Sequence, residues 1–156
     1  MKVNKYQDEL LDENRIDVYY REEDVQIQSL FKYLGKNQSL VGIKDGVKRI
    51  ISPEEVYYFE AVEKRCFAYL QEDIYQVEDN LHILEEKYME IGFVRVNKAT
   101  MVNILKIAWI KAEVNMRVSA RLENGESIII NRSYKKNFND RLKALWNGGK
   151  GNENSK

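Results

Sequence analysis

Several residue types are scarce in this 156-residue chain, and each scarcity removes a class of function. Cys66 is the only cysteine, so an internal disulfide is excluded and a cysteine-based zinc site is not expected. His82 is the only histidine, which rules out His clusters and makes any Ser-His-Asp arrangement depend on one position. It falls in an amphipathic helical pattern, where a solvated or satisfied histidine is the simpler reading. No apolar run approaches the ~20 residues needed to cross a bilayer, and MKVNKYQDELLDENR lacks the apolar stretch of a secretory signal, so a cytoplasmic location is expected. Neither G-x-x-x-x-G-K nor G-x-G-x-x-G can be formed, which excludes the usual phosphate-cradling nucleotide loops. The carboxylates fall mainly on helix surfaces and turns. With no nucleophile-base pair, metal set or cofactor motif, the chain reads as a non-enzyme without cofactor, metal or small-molecule substrate.

Net charge is also missing, but only as a total. The chain carries 25 basic and 25 acidic residues. Residues 1–90 hold 12 basic and 20 acidic side chains, a net of −8, whereas residues 91–156 hold 13 and 5, a net of +8. Such asymmetry is a recognised hint of polyanion binding.

Three helices are predicted. Over 22–34, Ile27, Leu30, Phe31 and Leu34 form one apolar stripe; over 79–91, Leu81, Leu84, Tyr88 and Ile91 do so. Over 134–146, Tyr134, Phe138, Leu142 and Leu145 share a side, with Ser133 as the expected N-cap. Eleven short β-like runs surround them: 18–20, 40–44, 47–51, 56–61, 66–70, 74–77, 94–96, 101–103, 107–111, 116–122 and 127–131. In 116–122, Met116, Val118, Ala120 and Leu122 alternate with Arg117, Ser119 and Arg121. Asp45-Gly46 and Asn124-Gly125 mark hairpins, Gly35 and Gly92 suit left-handed helix ends, and Ser52-Pro53-Glu54-Glu55 reads as a capped turn. The expected fold is mainly β with a few helices (α+β). It comprises an N-terminal strand-helix extension (1–36), a domain at 37–147 and a disordered tail at 148–156.

Three basic points stand out. Asn97-Lys98-Ala99-Thr100 interrupts a β-like run with phosphate donors, and Asn97 can also read a base edge; equally, Asn97 and Asn103 suit turns and Lys98 a solvated position. In Asn131-Arg132-Ser133-Tyr134-Lys135-Lys136, cations crowd the positive end of a helix dipole, an arrangement that a bound anion would relieve. Lys64-Arg65 forms the third, at a turn between β-like runs.

These blocks resemble a known family. Tyr57-Tyr-Phe-Glu60-Ala61, the basic turn, Cys66–Leu70 and Leu81…Leu84-Glu-Glu look like the start of a LytTR-type DNA-binding domain. Phe93-Val-Arg-Val-Asn-Lys-Ala-Thr-Met-Val-Asn103 resembles that family's phenylalanine–arginine strand and polar loop. Leu122-Glu-Asn-Gly125, Ile128–Arg132, Ser133 and Tyr134 resemble its final hairpin and last helix. The resemblance covers about 40–145. It implies an elongated fold of about ten short strands in three small sheets, and a bacterial transcription regulator that inserts loops into successive major grooves of direct-repeat DNA, usually as a homodimer. Carried onto matching positions, base contacts fall at Lys64, Asn97, Lys98 and Arg132, and phosphate contacts at Lys135 and Lys136. Arg65, Thr100 and Ser133 complete the expected DNA-binding set. Ala99 departs from the family's common serine, removing a hydroxyl donor. Residues 1–36 are too short for the receiver domain many members carry, so a stand-alone regulator is expected, with a small membrane-protein regulator as a further partner. A second reading is a protein-interaction module contacting a basic or membrane-associated partner through the acidic half.

Overall fold

In the computed structural model, the described residues are 2–12, 14–35 and 39–150, and the chain divides into two compact units, Met1–Asn37 and Gln38–Lys156. In the first unit, helix α1 spans Val25–Gly35. It starts later than position 22 because Asp24 caps it, its Oδ1 accepting from the Ile27 N–H at 2.9 Å. Ile27 is buried, whereas Phe31 and Leu34 remain exposed, and the Phe31 ring meets Tyr20 edge-on at 5.5 Å. The expected strand at 18–20 does not form. Its residues have β-type side chains but no strand partner, and propensity without a partner leaves the backbone unpaired.

The second unit holds ten strands in two antiparallel sheets. β1 (Leu40–Lys44), β2 (Val47–Ile51), β3 (Tyr58–Val62), β4 (Arg65–Tyr69), β5 (Ile74–Val77), β6 (Phe93–Arg95) and β7 (Thr100–Asn103) form the larger, in the order β2-β1-β5-β4-β3-β7-β6. β8 (Ile107–Ala112), β9 (Val118–Leu122) and β10 (Ser127–Ile130) form the smaller, in the order β10-β9-β8. The expected three sheets are therefore two. β5 pairs with β4 over four positions and with β1 through Gly42↔Val77 and Ile43↔Gln76, which stitches the β1–β2 hairpin into the main sheet.

Alternation along the central strands decides which core each residue enters. Phe59, Met101, Phe93, Cys66 and Ala68 face one side, where helix α2 (Leu81–Tyr88) adds Leu81, Leu84 and Tyr88. Tyr58, Val102 and Val94 face the other, where the smaller sheet adds Val118, Ala120, Leu122, Ile128 and Ile130. Helix α3 (Lys135–Lys150) closes that second core with Phe138, flanked by the half-buried Tyr134 and Leu142. Two cores on opposite faces of one sheet explain why β3, β6 and β7 carry near-continuous apolar runs.

Local chemistry sets the connections. Asp45 (φ 51°) and Gly46 (φ 76°) make the two-residue β1–β2 turn. Pro53–Glu55 is a single 3-10 turn whose Glu55 carboxylate accepts from the Ser52 N–H at 3.0 Å and from Arg49 at 2.7 Å. Asn80 caps α2 through the Ile83 N–H at 3.0 Å, and Gly92 (φ 111°) ends that region in the left-handed conformation. Asn103, buried, ties two segments together: its Nδ2 donates to the Val56 carbonyl at 2.9 Å and its Oδ1 accepts from the Leu105 N–H at 3.1 Å.

Three further expectations need correction. Ser133 does not cap α3: Asn131 precedes a 3-10 turn (Arg132–Tyr134) in which Ser133 is the middle residue, and α3 follows directly. α3 also runs to Lys150, past Gly148 and Gly149, because the backbone ladder can continue beyond the last apolar contact; positions 36–38 and 151–156, parts of the expected boundary and tail, lie outside the described residues. Finally, Met116 is exposed, since Asn115 and Met116 turn left-handed within Val114–Met116 and break the alternation before β9 starts; Ser119, on the opposite face of β9 from Val118, Ala120 and Leu122, is buried as well.

Candidate nucleic-acid interface

Strand directions bring the basic loops to one end of the larger sheet. The β3–β4 turn lies there, between Val62 and its partner Arg65. Because β7 runs antiparallel to β3, with Thr100 opposite Glu60, the β6–β7 loop sits at the same end. The Ala61 N–H donates to the Ala99 carbonyl at 2.8 Å, linking these two loops. The Asn131 N–H donates to the Val96 carbonyl at 2.9 Å, linking the β6–β7 loop to the Arg132 turn. Two backbone hydrogen bonds thus join three loops into one rim. The Asp45-Gly46 turn ends β1, which runs opposite to β3, and so lies at the far end of the sheet.

All nine residues expected from the sequence fall on this rim or on the start of α3. Lys64 and Arg65 are exposed, Lys64 at the turn tip with φ 65° and Glu63 before it with φ 49°. Non-glycine residues rarely adopt this conformation, and two in succession store strain at the tip. Asn97 is half-buried and spends its Oδ1 on the Ala99 N–H at 2.8 Å, an Asx turn that shapes the loop. Lys98 is exposed, while Thr100 is half-buried and its carbonyl accepts from the Val96 N–H at 3.0 Å. Arg132 and Ser133 are exposed, Lys135 is half-buried and Lys136 exposed, and the first turn of α3 contains no acidic residue. Among the described residues, Lys64, Arg65, Lys98, Arg132, Lys135 and Lys136 make no ion pair.

Two arginines of the site were not singled out by sequence reasoning. Arg95 donates from Nη1 to the Lys98 carbonyl at 2.7 Å, and its Nε lies 3.1 Å from Glu85 of α2, charge-paired without hydrogen-bond alignment. It therefore fixes the loop that presents Lys98. Arg117 shares with Asn131, Arg132 and Ser133 a concavity of about 500 Å³. Its proximity depends on the β9–β10 register, which the local sequence does not reveal.

The screened alternatives have physical explanations. His82 is exposed and sits 3.3 Å from Glu86, one helical turn on. Cys66 is buried, which pushes its thiol up to about 11, with Arg95 acting in the opposite direction. Among the described residues no group of three or more His, Cys, Asp or Glu side chains could hold a metal, and no helix is long and apolar enough to cross a membrane.

A rigid β scaffold with unpaired cations on one rim is the form of a loop-presenting, polyanion-binding module. Residues 47–143 match the LytTr DNA-binding domain family, and the chain belongs to that family. It is 25% identical to the sensory transduction protein LytT of Enterococcus faecalis, over 60% of this chain and 38% of the relative. It is 23% identical to LytT proteins of Bacillus cereus and Bacillus anthracis, over 78% of this chain and 57% of each. The chain thus spans about two-fifths to three-fifths of the curated relatives it matches. Its fold is similar to that of a solved LytTr DNA-binding domain from Bacillus cereus. The TM-score is 0.64 at 20% identity, covering 67% of this chain and 95% of that one.

Proposed function

We propose that this protein is a cytoplasmic, sequence-specific transcription regulator whose rim loops enter successive major grooves of direct-repeat DNA sites as a homodimer. The observation carrying this reading is the pair of backbone hydrogen bonds, Ala61 to Ala99 and Asn131 to Val96, that hold three unpaired basic loops side by side. In this reading Lys64, Asn97, Lys98 and Arg132 meet base edges. Arg132 suits bidentate recognition of guanine, while Lys135 and Lys136 at the start of α3 meet phosphates, assisted by Arg65, Thr100 and Ser133.

Selection of operators from random DNA, followed by binding measured across a salt series, tests this function. The expected outcome is a defined repeated site and a log–log salt slope of about −0.9 per neutralised phosphate. Replacing Arg132 with Ala should cost about 1–3 kcal/mol and relax preference at one base pair. Failure to enrich any site, with no binding at low salt, would sink the proposal.

The N-terminal unit favours a second role in protein interaction, because Tyr6, Leu10 and Tyr19 are all exposed in it. Its proposed partner is a small membrane-protein regulator. Capture of that partner by the full chain, and its loss without residues 1–36 while DNA binding persists, is the expected result.

A further inference from the structure

Arg117 lies outside the three loops but opens onto the same rim. Val118 pairs with Ile130, so the residue before β9 stands beside Asn131, the residue after β10. Asn131 is itself fastened to Val96. The resulting concavity of about 500 Å³ is lined by Arg117, Asn131, Arg132 and Ser133, none of them acidic. Arg117 and Arg132 are both exposed, and neither makes an ion pair among the described residues. Two guanidinium-bearing residues thus open onto one concavity with no carboxylate among its lining residues.

The backbone leading into Arg117 is unusual. Asn115 (φ 69°) and Met116 (φ 62°) both adopt the left-handed conformation, and the Arg117 carbonyl accepts from the Glu113 N–H at 2.9 Å to close the turn. Asparagine tolerates that conformation, whereas methionine has no local hydrogen bond to offset it. Met116 is exposed, so burial does not explain the strained turn either. Strained turns persist where the surrounding structure over-determines them, and they gather at ligand-binding positions.

We infer that Arg117 is a fourth DNA contact, a phosphodiester clamp. It would grip the backbone beside the base pair read by Arg132 and so set the angle at which Arg132 enters the groove. The inference rests on the proposed DNA-binding function, and its ligand is the phosphate oxygens of double-stranded DNA. Arginine suits this role because its planar fork can bind two phosphate oxygens at once.

The test uses the full chain, its selected operator and an unrelated duplex. Arg117→Ala is expected to weaken both by about tenfold and to make the salt slope shallower by about 0.9, leaving base preference unchanged. Arg117→Lys should keep the slope and recover much of the affinity, and thermal melting should show both variants folded. Unchanged affinity and slope for Arg117→Ala would overturn the inference. So would lost preference at a single base pair, or equal losses in both variants with the slope intact, which would assign Arg117 to base reading or to structure. If the unsubstituted protein bound no duplex, the DNA-binding function itself would fail, a result distinguishable from failure of the clamp alone.

Discussion

The two-residue turns of β1–β2 and β3–β4 invite a direct exchange of chemistry. Both have left-handed φ at both positions, 51° and 76° in Asp45-Gly46, 49° and 65° in Glu63-Lys64. Only the first contains glycine. A left-handed L-residue costs roughly 1–2 kcal/mol, while glycine gives back about 0.5–1 kcal/mol through its freer unfolded chain. Replacing Glu63-Lys64 with Asn-Gly should therefore stabilise the fold by about 1 kcal/mol, since that pair is the preferred one for this turn. For a chain of this size that corresponds to a rise in Tm of about 2–4 °C. The same variant removes Lys64 from the rim and should weaken operator binding. Calorimetry and operator titration on one preparation would read both effects. A Tm that stays level or falls would refute the strain argument, and unchanged affinity would remove Lys64 from the interface. The combination expected is a more stable protein that binds worse, which a merely damaging substitution does not produce.

Other predictions concern the scaffold. Asn103→Ala should cost about 2–4 kcal/mol in denaturant unfolding, because the Val56 carbonyl and Leu105 amide both lose their partner. Gly42→Ala should destabilise by about 1–3 kcal/mol, since an added Cβ would clash with Ile51 Cδ1 and come within 2.6 Å of Tyr75 Cβ. The Cys66 thiol, held at about 11 by burial, should resist alkylation in the native state and react on unfolding. Because burial raises that value above its usual 9.0, its contribution to stability is present below pH 9 and lost as pH rises towards 11. Denaturant midpoints at pH 8.5 and 11 should fall less in Cys66→Ala, with part of the fall remaining because Tyr88 is likewise raised, to about 12.

Much of this architecture was legible because it is local. Asp45-Gly46 announces its turn, and the runs at 40–44, 47–51 and 74–77 coincide with β1, β2 and β5. The joining of β1 to β5 was not legible, because it rests on two residue pairs more than thirty positions apart. Ser133 has cap chemistry but sits inside a 3-10 turn, so the tertiary path overrode a sound local preference. Met116 continued an alternating pattern that the backbone abandons, and Arg117 was hidden with it. The nine expected rim residues were accessible from charge, dipole conflict and family resemblance, since these are properties of residue type and order. Arg95 is part of the phenylalanine–arginine strand of the family resemblance, but its role was hidden, because nothing local reveals that its guanidinium reaches the Lys98 carbonyl.

The two hydrogen bonds that join the rim are made by main-chain atoms, N–H of Ala61 and Asn131 to carbonyls of Ala99 and Val96. Side-chain replacements at Lys64, Lys98 or Arg132 leave those atoms in place, whereas Asn97 also shapes its loop through the Ala99 N–H. In the proposed reading, the distance between the base-contacting positions is inherited with the backbone, while the bases they prefer can drift. Relatives sharing this skeleton would keep one operator spacing as their preferred bases diverge. An engineer could retarget each position in turn without rebuilding the geometry between them.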